Sequence, residues 1–122
     1  MEGQITEHNA PHLRTKMIVE GANGPTSPAA DRIFAANGQL VVPDILANAG
    51  GVLVSYFEWV QGNQAYWWNA AEVEQKLEER MLAAWQQVVE TAASRDLSLR
   101  AAATVLAVER VAEAHLLRGL YP

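Results

Sequence analysis

The chain has 122 residues, half of them hydrophobic and 19% charged, with a formal net charge of −5 and no cysteine. That length suits one small domain spanning residues 1–122, and its apolar half is enough for a core, which excludes wholesale disorder. The acidic balance, without a basic patch, argues against nucleic acid as a partner. The lack of cysteine removes disulfides, thiolate metal sites and a cysteine nucleophile, and it suits the cytoplasm.

The polar start MEGQITEHNA has no signal-peptide pattern, and the apolar stretch from Ile45 to Val54 is too short for a bilayer. The character of the sequence changes once, near residue 66, from alternating strands and helices to helix alone. Met17-Ile18-Val19 ends in Gly21-Ala22-Asn23-Gly24-Pro25, the pattern of a short buried parallel strand. Ser27 then caps a helix with Pro28 at its first position and Asp31 near the positive end of its dipole. Asn37-Gly38 stops that helix, and Leu40-Val41-Val42 is a second strand. Strand, helix and strand in so few residues form a right-handed parallel β-α-β unit.

Beyond Pro43-Asp44 and Asn48-Ala49-Gly50-Gly51 lies a helix over Val52–Val60, apolar nearly all round and therefore expected to be buried, with Gly62-Asn63 as its end. Asn69 and Glu72 pair as a capping box for a long amphipathic helix. Its apolar face holds Val73, Leu77, Met81, Trp85 and Val88, and its polar face Glu74, Glu78, Gln86 and Glu90. Asp96 or Ser98 starts a last helix with Val105, Val108, Ala112 and Leu116 on one face, stopped by Gly119 and Pro122. The fold class is α/β: a parallel sheet of about two strands over residues 1–66, then a mainly helical half over 67–122.

Two segments carry the chemistry, because ligands of open α/β sheets bind at the carboxyl ends of strands beside helix starts. In the loop Glu20–Thr26, Gly21 and Gly24 allow close backbone approach, and Asn23 offers a donor and an acceptor suited to a carboxamide or ribose hydroxyl. The competing reading is an ordinary tight turn ending in a helix cap. In Asn48-Ala49-Gly50-Gly51, backbone N–H groups at a helix start suit an anion, and the Ser55 hydroxyl lies near the same face. Here the competing reading is a Gly-Gly packing joint with a capped serine.

The strings EGANGPTSPAAD, VVPDILANAGGVLVSYFEWVQ and AATVLAVERVAEAHLLRG closely resemble the carboxy-terminal part of the glutamate dehydrogenase family, the Glu/Leu/Phe/Val dehydrogenases. The resemblance runs from about Gly3 to Gly119, and NAGGVLVSYFEW is long enough to be distinctive. It implies a partial Rossmann-type cofactor domain and oxidative deamination of glutamate to 2-oxoglutarate with NAD or NADP. It further implies that Gly21, Ala22, Asn23 and Asn48 face the nicotinamide and its ribose, and that Asn48, Val52 and Ser55 line the substrate.

The family's activating lysine and proton-moving aspartate lie in an upstream substrate domain, which this stretch does not contain. No G-x-G-x-x-G follows a strand here, so the pyrophosphate cradle is not encoded, and the two lysines, Lys16 and Lys76, lie outside the catalytic-lysine context. No catalytic residue is therefore expected, and the alternative is a non-catalytic module that binds an amino acid or nucleotide, or docks on a full-length dehydrogenase. Parallel strands need cover on both faces, so a homo-oligomer or full-length glutamate dehydrogenase is the expected partner, with no membrane.

His8 and His12 have the spacing of a helical metal pair, but Pro11 breaks such a helix and no metal is expected. Asp44 reads as a turn carboxylate, His115 as the packing edge of the last helix, and Tyr66, Trp67 and Trp68 as helix-hairpin packing.

Overall fold

Two three-residue strands, β1 (Met17–Val19) and β2 (Leu40–Val42), pair in parallel, with Met17 opposite Leu40, Ile18 opposite Val41 and Val19 opposite Val42. The computed structural model describes residues 2–119, so the expected role of Pro122 lies outside the described residues. Helix α1 (Pro28–Ala36) joins the strands. Ser27 Oγ accepts the Ala30 N–H at 3.1 Å with Pro28 at the first position, and Gly38 takes φ +68° after the last turn.

Strand alternation divides the core in two. Ile18 and Val41 pack with Ile5 and Ile33 on the buried Ala10, Ala30 and Phe34. Val42 instead joins Leu46, Val88, Ala102 and Ala103. The polar amino-terminal stretch has a place of its own: Ile5 bridges Thr26, and Gly3 N–H and Ile5 N–H donate to the carbonyls of Gly24 and Pro25, both at 2.8 Å.

After β2 come α2 (Asp44–Ala47), α3 (Ala49–Gln64), α4 (Ala70–Arg95) and α5 (Leu99–Arg118). The Asn69–Glu72 capping box forms in both directions, at 2.8 and 3.0 Å, and the expected apolar face of α4 turns inward, with Val88 buried. Ser98, and not Asp96, caps α5, while Asp96 takes the left-handed position that ends α4. Arg95 pairs with Glu109 at 2.8 Å, and Arg110 bonds Gln87, fastening α5 to α4. No described helix is long and apolar enough to cross a membrane.

Four expectations are corrected. Strand β1 is not buried: Met17 is 52% and Val19 60% exposed, because the two-stranded sheet leaves that face without cover. Helix α3 starts at Ala49 and runs through Gly62-Asn63 to a left-handed cap at Ala65. Asn63 does not stop it because its side chain donates to the Trp59 carbonyl within the helix, at 3.0 Å. Nor is α3 buried: Val52 is 77% and Trp59 65% exposed, with Phe57 and Gln61 as its buried residues. An all-round apolar helix asks for cover on every side, and here α4 supplies one side. On α5, Val108 and Leu116 face outward, and the packed residues are Leu99, Ala102, Ala103 and Leu106. The helix carries two apolar stripes, and the small alanines form the one that approaches α4.

Candidate functional site

Parallel pairing brings the carboxyl ends of β1 and β2 to the same side, so the loop after β1 and the turn after β2 meet. Asn48 Nδ2 donates to Asn23 Oδ1 at 2.5 Å, across 25 residues of sequence. The pair retains the Asn23 amide as a donor and the Asn48 carbonyl oxygen as an acceptor, the complement of a carboxamide. Asn48 ends α2 and precedes α3 without making a side-chain cap, which leaves its amide for Asn23.

Beneath this pair lies a charged network. Arg100, in the first turn of α5, donates from Nη2 to Glu20 Oε1 at 2.7 Å, from Nε to Asp31 Oδ2 at 3.1 Å and from Nη1 to Asp44 Oδ1 at 3.5 Å. Glu20 Oε2 accepts the Asp44 N–H at 2.9 Å, and Asp44 Oδ2 accepts the Gly24 N–H at 2.7 Å. Burial pushes the Glu20 carboxyl up, but the Arg100 guanidinium and the Asp44 N–H outweigh it and hold Glu20 below its ordinary range. The Gly24 N–H, helped by Ile45 N–H and the charge of Arg100, holds Asp44 below its range against a desolvation that raises it. Arg100 is raised, chiefly by its bond to Glu20. Asp44 is therefore more than the turn carboxylate its sequence context suggests: it fastens the first loop to the start of α2.

Each expected site residue has a definite place. Gly24 needs to be glycine because its φ is +54°; a Cβ there would lie 3.3 Å from the exposed Glu2 side chain, which can shift aside. Gly21 and Ala22 line a groove of about 240 Å³ with Ile18, Val19 and Pro25, and a Cβ at Gly21 would meet open space. Asn48 and Val52 line a wider groove of about 690 Å³ between α3 and α4, together with Tyr56 and Arg80. Ser55 departs from expectation: its hydroxyl donates back to the Gly51 carbonyl at 3.1 Å, so it is committed to its own helix. The Gly-Gly packing joint is not required either, since a Cβ at Gly50 would make an ordinary 3.6 Å contact with Leu77 and one at Gly51 would meet open space. Within the expected aromatic cluster, Trp68 packs edge-on against Phe57 at 5.7 Å with the Lys76 ammonium 4.9 Å from its ring centroid, but Tyr66 and Trp67 are 63% and 71% exposed, so the expected helix-hairpin packing does not extend to them.

Against known proteins, the sequence profile of the Glutamate/Leucine/Phenylalanine/Valine dehydrogenases matches residues 1–119. The chain belongs to that family. It is 50% identical over 122 residues to the glutamate dehydrogenase of Thermotoga maritima, covering 100% of this chain and 29% of that protein. With the NAD-specific glutamate dehydrogenase of Staphylococcus aureus strain COL it shares 49% over 119 residues, 98% of this chain and 29% of that protein. Among solved structures, glutamate dehydrogenase from Peptoniphilus asaccharolyticus superposes with a TM-score of 0.92 at 42% identity, over 99% of this chain and 31% of that one. The hetero-hexameric enzyme from Thermus thermophilus, in its leucine-bound form, gives 0.95 at 39%, over 99% of this chain and 29% of that one. The chain thus corresponds to a portion, a little under a third, of these dehydrogenases.

The Staphylococcus aureus relative is NAD-specific, and toward a group such as a carboxamide this portion offers an asparagine pair with one free amide and one free oxygen, with open space beside Gly21. Arg100, which holds the loops beneath that pair, was not legible as a site residue. The available signal was electrostatic: an arginine in the first turn opposes the helix dipole and so calls for acidic partners.

Proposed function

We propose that this chain is the carboxy-terminal portion of an NAD-dependent glutamate dehydrogenase and forms the nicotinamide edge of its site. The Asn48–Asn23 hydrogen bond, between the loops at two parallel strand ends, carries the reading. The Asn23 amide would donate to the cofactor's carboxamide or ribose, and the Asn48 oxygen would accept from the carboxamide or the substrate's amino group. NAD, when bound, supplies hydride acceptance; the chain's part is to orient the ring, with the open faces of Gly21 and Gly51 and the exposed Val52 leaving room for it. The NAD specificity of the Staphylococcus aureus relative favours NAD over NADP. The Ser55 hydroxyl would reach a substrate carboxylate only by leaving the Gly51 carbonyl.

Catalysis by this portion alone is not expected. Lys16 precedes β1, at the opposite end of the strand from Asn23, and Lys76 sits over Trp68. A second reading, association with another copy or with a full-length glutamate dehydrogenase, is favoured by the exposed Val52, Tyr56 and Trp59 of α3 and Val108, Val111, Leu116 and Leu117 of α5. We further propose a cytoplasmic location, which the cysteine-free composition suits.

Titrating the chain with β-nicotinamide mononucleotide and, separately, with adenosine monophosphate tests the main reading. Binding of the first, lost in Asn48→Ala, supports it; binding of the adenine nucleotide alone overturns it.

A further inference from the structure

We infer that Arg100 is the positioning residue of the candidate site: through Glu20, Asp31 and Asp44 it fixes the separation of the two loops that carry Asn23 and Asn48. Its importance to nicotinamide binding rests on the function proposed above; its grip on the loops does not.

Four segments converge on this one guanidinium. Arg100 belongs to α5, Glu20 directly follows β1, Asp31 lies in the first turn of α1 and Asp44 opens α2. The partners are 80, 69 and 56 residues away in sequence, so no local preference holds them together. The bonds form a chain toward the asparagines. Arg100 anchors Glu20, whose other oxygen accepts the Asp44 N–H, and Asp44 in turn accepts the Gly24 N–H, one residue from Asn23. Asp44 also begins the four-residue α2 that delivers Asn48.

Without the guanidinium, three carboxylates face one another: Glu20 with its side chain wholly buried, and Asp31 and Asp44 mostly so. Their repulsion would separate the β1 loop from the start of α2, which is the separation that the Asn23–Asn48 bond reports. Lysine carries the charge but not the planar fork, so it cannot hold three carboxylates in this geometry.

The test is amide hydrogen exchange on the full chain and on Arg100→Lys, alongside the Arg100→Met/Glu20→Gln double variant, which removes the buried charge together with its partner and guards against unfolding. Gly24 and Asp44 amides should lose about tenfold or more protection in Arg100→Lys, while Val88, in the α4 core, changes by less than about twofold. The double variant should fold and show the same local loss. Equal loss at Gly24, Asp44 and Val88 would make Arg100 a general stabiliser and overturn the inference, as would unchanged Gly24 and Asp44. Titration with β-nicotinamide mononucleotide separates the two readings. Affinity about tenfold weaker in Arg100→Lys supports both. A parent chain that does not bind it refutes the nicotinamide reading, while the exchange result still decides the role of Arg100.

Discussion

Glu20 is the residue on which most of the site's electrostatics turns. Its side chain is fully buried, one oxygen on Arg100 and the other on the Asp44 N–H. Truncating one member of a buried pair strands the other, and Glu20→Ala should cost about 3 kcal/mol, near the lower end of the usual range because Arg100 keeps 29% of its side chain exposed; chemical denaturation measures it. The pH dependence has a definite sign. Glu20 and Asp44 both have lowered folded pKa values, so the unfolded chain binds more protons in acid. Their contribution is complete above the ordinary carboxyl range, about pH 5, and is lost as pH falls through the lowered folded values. Thermal midpoints should therefore fall on acidification below about pH 4, less steeply in Glu20→Gln. Raised Arg100 stays charged throughout and adds no slope.

The starts of α1, α4 and α5 were legible because capping is local chemistry: Ser27, Asn69 and Ser98 each accept the N–H three residues on, whereas α2 and α3 begin without a side-chain cap. Asn69→Ala should cost about 1 kcal/mol in thermal or denaturant unfolding, since it removes the side-chain acceptor of the Glu72 N–H while the backbone N–H of residue 69 can still donate to Glu72. The end of α3 was not legible. Gly62-Asn63 has the composition of a stop, yet Ala65 takes the left-handed position, at φ +50°. Ala65→Gly should therefore stabilise the chain by up to about 1 kcal/mol, where an ordinary helix glycine would cost that much. The inward face of α5 was missed because its contact is built from alanines, which contribute little to an apolar pattern.

At the scale of the whole molecule, the parallel pair, the β-α-β crossover and the position of both loops at the strand ends followed from short apolar runs and their turn residues. The family resemblance implied only that Asn23 and Asn48 both face the nicotinamide, not that they touch, and the Arg100 network joins residues too far apart in sequence for any local pattern to reveal it. The exposed apolar faces of α3 and α5 are sequence features that await cover. Sedimentation velocity should show association that Trp59→Lys with Val111→Lys weakens, if those faces are where copies meet.

The measurement closest to the central claim is a set of nuclear Overhauser contacts between bound β-nicotinamide mononucleotide and the isotope-labelled chain. The nicotinamide ring and ribose should contact the side-chain amides of Asn23 and Asn48, with none to the Tyr66–Trp68 cluster. Ring contacts to that aromatic cluster, with the two asparagine amides silent, would contradict it.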